Sequence, residues 1–255
     1  KEWGTHQLTE EMMPKIFHMK DHAINYSSHM NLSDDGEEGL FSLRYSIPSS
    51  YMNLRNKADS AIQQVLEKRD YEVLDISAGP IVAKLYQWLD NRSGNETKPF
   101  FISLTFSQHP FEVDSQVDEL VLRMEKEGLL RNTEIVLTSA FSGSDSVSLP
   151  LMWFRPPRKT SEVKHFTTPY DVMPTLMSEL WKCTNVFETA SVGKPLDMEN
   201  RDWIPATWKD GFKIYDFKNN NVINYQDRRI SILGNDPRYE LIFSAMNIMT
   251  KFNRP

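Results

Sequence analysis

A chain of 255 residues, 40% hydrophobic and 25% charged, has the composition of an ordinary globular protein and excludes a disordered or fibrous one. Its formal charge of -6, with no basic stripe interleaved with aromatics, gives no electrostatic basis for binding nucleic acid. The single cysteine, Cys183, excludes an internal disulfide, and no run approaches the roughly 18 apolar residues of a membrane span.

The chain starts at Lys1 with neither Met nor a leader, which reads as an excerpt of a longer protein. Residues 11–23 place Met12, Ile16 and Met19 at helical spacing, with Pro14 in the first turn. After a polar stretch comes the apolar run 39–43. Residues 56–68 read as an amphipathic helix through Ala58, Ile62, Val65 and Leu66, leading into a strand at 71–76. Another helix carries Ile81, Leu85, Trp88 and Leu89. The near-continuous apolar strand at 99–106 suits burial on both faces of a parallel sheet. A helix follows at 113–127, with Gly128 where a C-cap glycine belongs. Strands are expected at 134–138 and 149–154, and a helix at 171–181. Residues 212–217 and 221–225 form a hairpin pattern around Asn219-Asn220, before a last helix at 237–252.

Strand–helix–strand alternation from residue 56 to 181 predicts an α/β fold with a central, mostly parallel sheet flanked by helices. The hairpin and final helix are expected to pack on it. Residues 1–195 then make the core and 196–255 the appended part, together one structural unit.

Residues 98–106, 128–139 and 170–176, with Leu149-Pro150-Leu151 between the last two, occur in the order of segments of the alkaline phosphatase/sulfatase superfamily and resemble them. Tyr26-Ser27-Ser28 leading to residues 39–45, Ser50-Tyr51-Met52, and the tail from Lys213 to Arg228 are similar to the periplasmic domains of YejM/PbgA-type inner-membrane proteins.

The resemblance implies a hydrolase fold in which metal-bound nucleophiles attack sulfate or phosphate esters. It also implies an Asp-His metal pair after Thr138-Ser139, where this chain has Ala140 and Phe141. Neither a methyl group nor a phenyl ring ligates a metal. Another expected His before the Leu149-Pro150 strand is replaced by Val147 and Ser148. Glu2 falls near the position of the first metal ligand, and Ser33 is the best-placed hydroxyl nucleophile. The alternative for Ser33 is a helix N-cap, with Glu37 and Glu38 in the first turn.

Other chemistry-bearing residues have plain structural alternatives. Cys183 lacks the context that formylglycine formation needs and reads as a small apolar residue at a helix end. The cluster Asp34, Asp35, Glu37 and Glu38 offers hard oxygens but no EF-hand spacing, so a solvated loop is favoured. His18 and His22 share a helix face without a third ligand. His109 sits after a strand but beside Pro110 and Phe111, as in a packed turn. Asp171 opens a helix, where the macrodipole accounts for a carboxylate. The triplets at Asn31, Asn91 and Asn95 fit the N-glycosylation pattern, which chance readily produces.

By resemblance, then, this is a non-catalytic sulfatase-like domain on the periplasmic side of an inner-membrane protein. The implied partners are lipopolysaccharide or anionic phospholipid and an inner-membrane regulatory protein, with no cofactor. The rival is a metal-dependent phosphoester or sulfate-ester hydrolase using Ser33, Glu2 and Mg, Mn or Zn. Trp and Met on the surface leave room for a third possibility, a module docking a protein partner.

Overall fold

The computed structural model describes residues 8–33, 35–54, 61–92, 98–140, 148–156, 160–183, 190–198, 201–208 and 211–251. Helix α1 (Pro14–Met19) starts at Pro14 without a cap from its own side chains. Buried Asp114 of α5 (Pro110–Lys126) caps it instead, accepting the N–H groups of Ile16 at 2.8 Å and Lys15 at 3.3 Å. The helix expected at 11–23 is therefore shorter: it tightens into a 3₁₀ turn at Lys20–His22 and gives way to strand β1 (Ile24–Tyr26).

The apolar run at 39–43 lies inside α2 (Gly36–Tyr45), whose Arg44 reaches Asp75 at 2.9 Å. That contact ties α2 to the parallel pair β2 (Glu72–Ile76) and β3 (Phe100–Leu104). Both faces of the pair are covered, as the apolar run predicts. Phe101 and Val73 meet α3 (Ala61–Lys68) and α6 (Pro169–Trp181), while Leu74, Ile102 and Leu104 meet α4 (Ile81–Asn91). Gly128 follows α5 at φ +73°, a left-handed position that costs glycine no Cβ clash.

A second sheet runs in the order β4-β5-β1-β6, adding β4 (Ile135–Thr138), β5 (Leu151–Phe154) and β6 (Ser161–Val163). Here β1 and β6 are parallel, while β5 runs antiparallel to both β4 and β1. Leu151, Trp153 and Tyr26 bury against Val172 of α6.

The C-terminal region holds more than a hairpin. Strands β7 (Trp203–Trp208), β8 (Gly211–Asp216), β9 (Asn221–Gln226) and β10 (Arg229–Leu233) form an antiparallel meander in the order β10-β9-β8-β7. One face, with Ile204, Ala206 and Tyr215, packs on Met30, Leu32 and Tyr170 of the core. The other, with Phe212, Ile214 and Ile223, is covered by Leu241, Ile242 and Ala245 of α7 (Glu240–Met249).

Two buried ionic joints lock these layers. At the first, Thr168 and Asp171 form a capping box on α6, and Asp171 also accepts the Lys194 N–H and pairs with Arg201. Pro174 inside α6 has no N–H for the Tyr170 carbonyl, four residues back. Gly193 lies directly against that carbonyl.

At the second, Arg238 makes a two-pronged contact with Asp216 (2.6 and 3.0 Å) and reaches Asp202 at 2.7 Å. Burial pushes the Asp216 carboxyl up, but the Arg238 fork and the Asn219 N–H outweigh it and hold the group below its ordinary value. Stability of this kind is complete above the unfolded carboxyl value and is lost as pH falls through the folded one. Arg238→Ala is therefore expected to cost about 2 kcal/mol at neutral pH, because it strands a buried carboxylate. The cost shrinks at pH 3; thermal melts of both proteins at the two pH values check it.

Candidate functional site

Residues His29 to Ser33 run as an extended segment from β1 into α2. Backbone bonds hold the segment on both sides: Met30 N–H donates to the Thr167 carbonyl and Leu149 N–H to the His29 carbonyl, each at 2.7 Å. Ser33 ends the segment at the start of α2 and is 1% exposed.

The N-cap of α2 is Asp35, not Ser33. Its Oδ1 accepts the N–H groups of Glu37 at 2.8 Å and Glu38 at 3.2 Å. Ser33 sits two residues earlier and shapes the approach to the cap. Its Oγ accepts the Asp35 N–H at 3.1 Å and faces two acceptors, the Asp35 carbonyl at 3.0 Å and Glu38 Oε2 at 3.3 Å. The Asn31 side chain accepts the Ser33 N–H at 3.3 Å.

Glu38 extends this network towards the meander. Its Oε2 also accepts from Ser49 Oγ at 3.2 Å, and Ser49 Oγ meets Thr207 Oγ1 of β7 at 2.8 Å. Tyr170, buried beside Thr207 and Ser42, has its hydroxyl pushed up to about 12, chiefly by burial, so it stays neutral. Sequence reasoning did not find this hydroxyl–carboxylate network, because Thr207 and Ser49 meet Glu38 only through the tertiary fold.

A nucleophilic hydroxyl must face the phosphorus or sulfur it attacks. Ser33 is enclosed and held by its own turn, and that geometry fits a residue that shapes the helix start.

Strand β4 delivers Ala140 two residues past its end, with Thr138 Oγ1 donating to the Pro150 carbonyl at 2.9 Å. Phe141 and Glu2 lie outside the described residues, as does Asp34. A divalent cation needs carboxylate or imidazole donors converging at this strand end. Ala140 supplies none. Among the described residues, no group of three or more His, Cys, Asp or Glu side chains could hold a metal ion.

The other candidates have local roles. Exposed His18 approaches Glu10 at 3.3 Å. His109 caps α5, with its ring accepting the Phe111 N–H at 3.5 Å. Half-buried Cys183 packs with Tyr71, Trp181 and Ala190. Asn31, in the first glycosylation triplet, is buried.

One residue that sequence reasoning passed over stands out on burial. His29 is fully buried; its Nδ1 lies 2.9 Å from Thr167 Oγ1, and its Nε2 has no hydrogen-bond partner among the described residues. No periodic or spacing signal marks it.

No profile of a known protein family matches the chain. Among curated proteins it is 22% identical over 255 residues to the inner membrane protein YejM of Salmonella typhi, with 77% of this chain aligned. The chain spans 44% of that relative's length. Among solved structures, an alkaline phosphatase superfamily protein from Vibrio parahaemolyticus matches with a TM-score of 0.77 at 10% identity, over 96% of this chain and 82% of that one. The lipoteichoic acid synthase LtaP of Listeria monocytogenes matches at 0.64 and 9% identity, over 95% and 85% of the two chains. No described helix is long and apolar enough to cross a membrane. With its helix-flanked sheets, C-terminal meander and last helix, the chain has the fold of the alkaline phosphatase/sulfatase superfamily, and in sequence it is similar to the YejM inner-membrane proteins.

Proposed function

We propose that this chain is a non-catalytic, sulfatase-like periplasmic domain of an inner-membrane protein. It works without a metal cofactor, responding to lipopolysaccharide or anionic phospholipid and signalling to an inner-membrane regulatory partner. The observation that carries the non-catalytic half is the end of β4, where Ala140 stands in place of a metal ligand while Ser33 is buried in the turn into α2. The similarity to the inner membrane protein YejM supports the envelope setting.

The test has two arms on the purified chain. Metal analysis and turnover of p-nitrophenyl phosphate and p-nitrophenyl sulfate, with Mg, Mn or Zn added, are expected to show no stoichiometric metal. The rates are expected to match those of Ser33→Ala. Bound metal with turnover abolished by Ser33→Ala establishes the hydrolase instead. In flotation, vesicles carrying lipopolysaccharide or phosphatidylglycerol are expected to retain the chain and pure phosphatidylcholine vesicles to release it. Equal behaviour on all three removes the lipid half.

A further inference from the structure

From its position and burial, we infer that His29 is an acid-operated latch, which holds residues 27–33 in place while neutral and releases them when protonated. The segment is a seam between layers. Ser27 N–H donates to the Val163 carbonyl at 3.0 Å, Thr167 N–H to the Ser28 carbonyl at 3.2 Å, and Leu149 N–H to the His29 carbonyl at 2.7 Å. Met30 and Leu32 then pack on Tyr170 and on Ile204 and Ala206 of the meander. Whatever frees residues 27–33 thereby loosens β5, the entry to α6, the seat of the C-terminal sheet and the start of α2.

His29 occupies the middle of this seam with no access to water. Its ring is anchored on one side by Thr167, and the other nitrogen faces no acceptor among the described residues. An imidazolium there would carry two N–H donors and a full charge, with one hydroxyl oxygen to receive them.

Among the described residues, the charged groups on the elements around the segment are occupied elsewhere or exposed. On the connection into α6, Lys164 pairs with Glu162, the His165 ring meets the Leu196 carbonyl at 2.7 Å, and Asp171 is held by Thr168, Lys194 and Arg201. At the start of α2, Asp35 caps the helix, Glu37 is exposed and Glu38 binds Ser33 and Ser49. The entry to β5, at Ser148 and Leu149, carries no charge. Among the described residues burial is the influence that acts on the ring, and it pushes its protonation down to about 3.

A group whose folded value is depressed binds its proton mainly in the opened state. Above pH 7 the histidine is neutral in both states and acidity has no leverage. As pH falls from 7 to 5, the opened segment takes up a proton near the ordinary histidine value of about 6.5, favouring opening about 25-fold. The latch thus couples mild acid to the position of the α2 start without any ligand.

Amide hydrogen exchange on the intact chain, corrected for the intrinsic pH dependence of exchange, reads this directly. Protection of the Met30, Leu149 and Thr167 amides is expected to fall about 25-fold between pH 7 and pH 5, while the β8–β9 ladder amides stay protected. In His29→Gln the step between the two pH values is expected to vanish. Unchanged protection at the three amides overturns the inference. So does an equal loss in the β8–β9 ladder, which marks global unfolding, or a step that survives in His29→Gln. If His29→Gln does not fold, the contrast between segment and ladder in the unmodified chain decides.

Discussion

Asp171→Ala is expected to destabilise the fold by about 4 kcal/mol, read as a drop of about 10 °C in the midpoint of thermal unfolding. The carboxylate is buried, and every lone-pair direction is used. Oδ2 accepts the Thr168 N–H at 2.7 Å and the Thr168 hydroxyl at 2.9 Å, while Oδ1 accepts the Lys194 N–H at 2.8 Å and pairs with Arg201. Truncation leaves two backbone donors, a hydroxyl and a guanidinium that is largely withdrawn from water without their acceptor. Asp171→Asn is expected to lose nearly as much, because whichever way the amide turns its NH2 meets a backbone N–H, of Thr168 on one side or Lys194 on the other. A shift under about 3 °C for either variant would falsify the assignment of Asp171 as the joint between α6 and the segment 191–201.

Gly193→Ala should cost about 3 kcal/mol, or about 8 °C, although it adds one methyl group. A Cβ at Gly193 would lie 1.8 Å from the Tyr170 carbonyl oxygen, 2.3 Å from its carbon and 2.9 Å from the Asp171 nitrogen. All three atoms are backbone, so no side chain can swing away. The carbonyl is available for such close approach because Pro174 cannot donate to it. Relief requires moving the α6 start or the segment that presents Lys194 to Asp171, and both motions disturb the same joint. Asp171→Ala and Gly193→Ala combined should therefore cost less than their sum, a coupling measurable by denaturant titration of the four proteins.

How legible the fold was depended on where each element draws its stability. Helices α4, α5 and α6 show in the sequence because apolar residues recur at helical spacing in each, Ile81, Leu85 and Leu89 in α4, Val113, Val117 and Met124 in α5, and Met173 and Met177 in α6. Strands β1 and β6 span three residues each, too few for alternation to register. They exist because Ile24 pairs with Trp153 and Ser161, partners distant in sequence. Strand β7 contains Pro205, which reads as a breaker. It is tolerated because β7 is an edge of its sheet. Strand β10 did carry an alternating pattern in Ile230 and Ile232 between polar neighbours.

At the candidate site, Ala140 and Ser33 were visible from residue type and the order of motifs alone. The cap was two residues off because Ser33 and Asp35 are both good caps, and only the bonds to Glu37 and Glu38 distinguish them. The Glu38–Ser49–Thr207 chain and the enclosure of His29 depend on segments far apart in sequence. No local pattern carries that information.

The two C-terminal and core sheets differ in how their strands find each other. The meander β7 to β10 pairs neighbours in chain order, so each new strand meets a partner already beside it. In the order β4-β5-β1-β6, by contrast, the described partners of β1 are β5 and β6, which lie far along the chain at Trp153 and Ser161. Local pairing forms fast and distant pairing slowly. The segment that carries His29 and Ser33 follows β1 and is held by the same distant strands, so pairing there closes over a longer stretch of chain than pairing between neighbours in the meander.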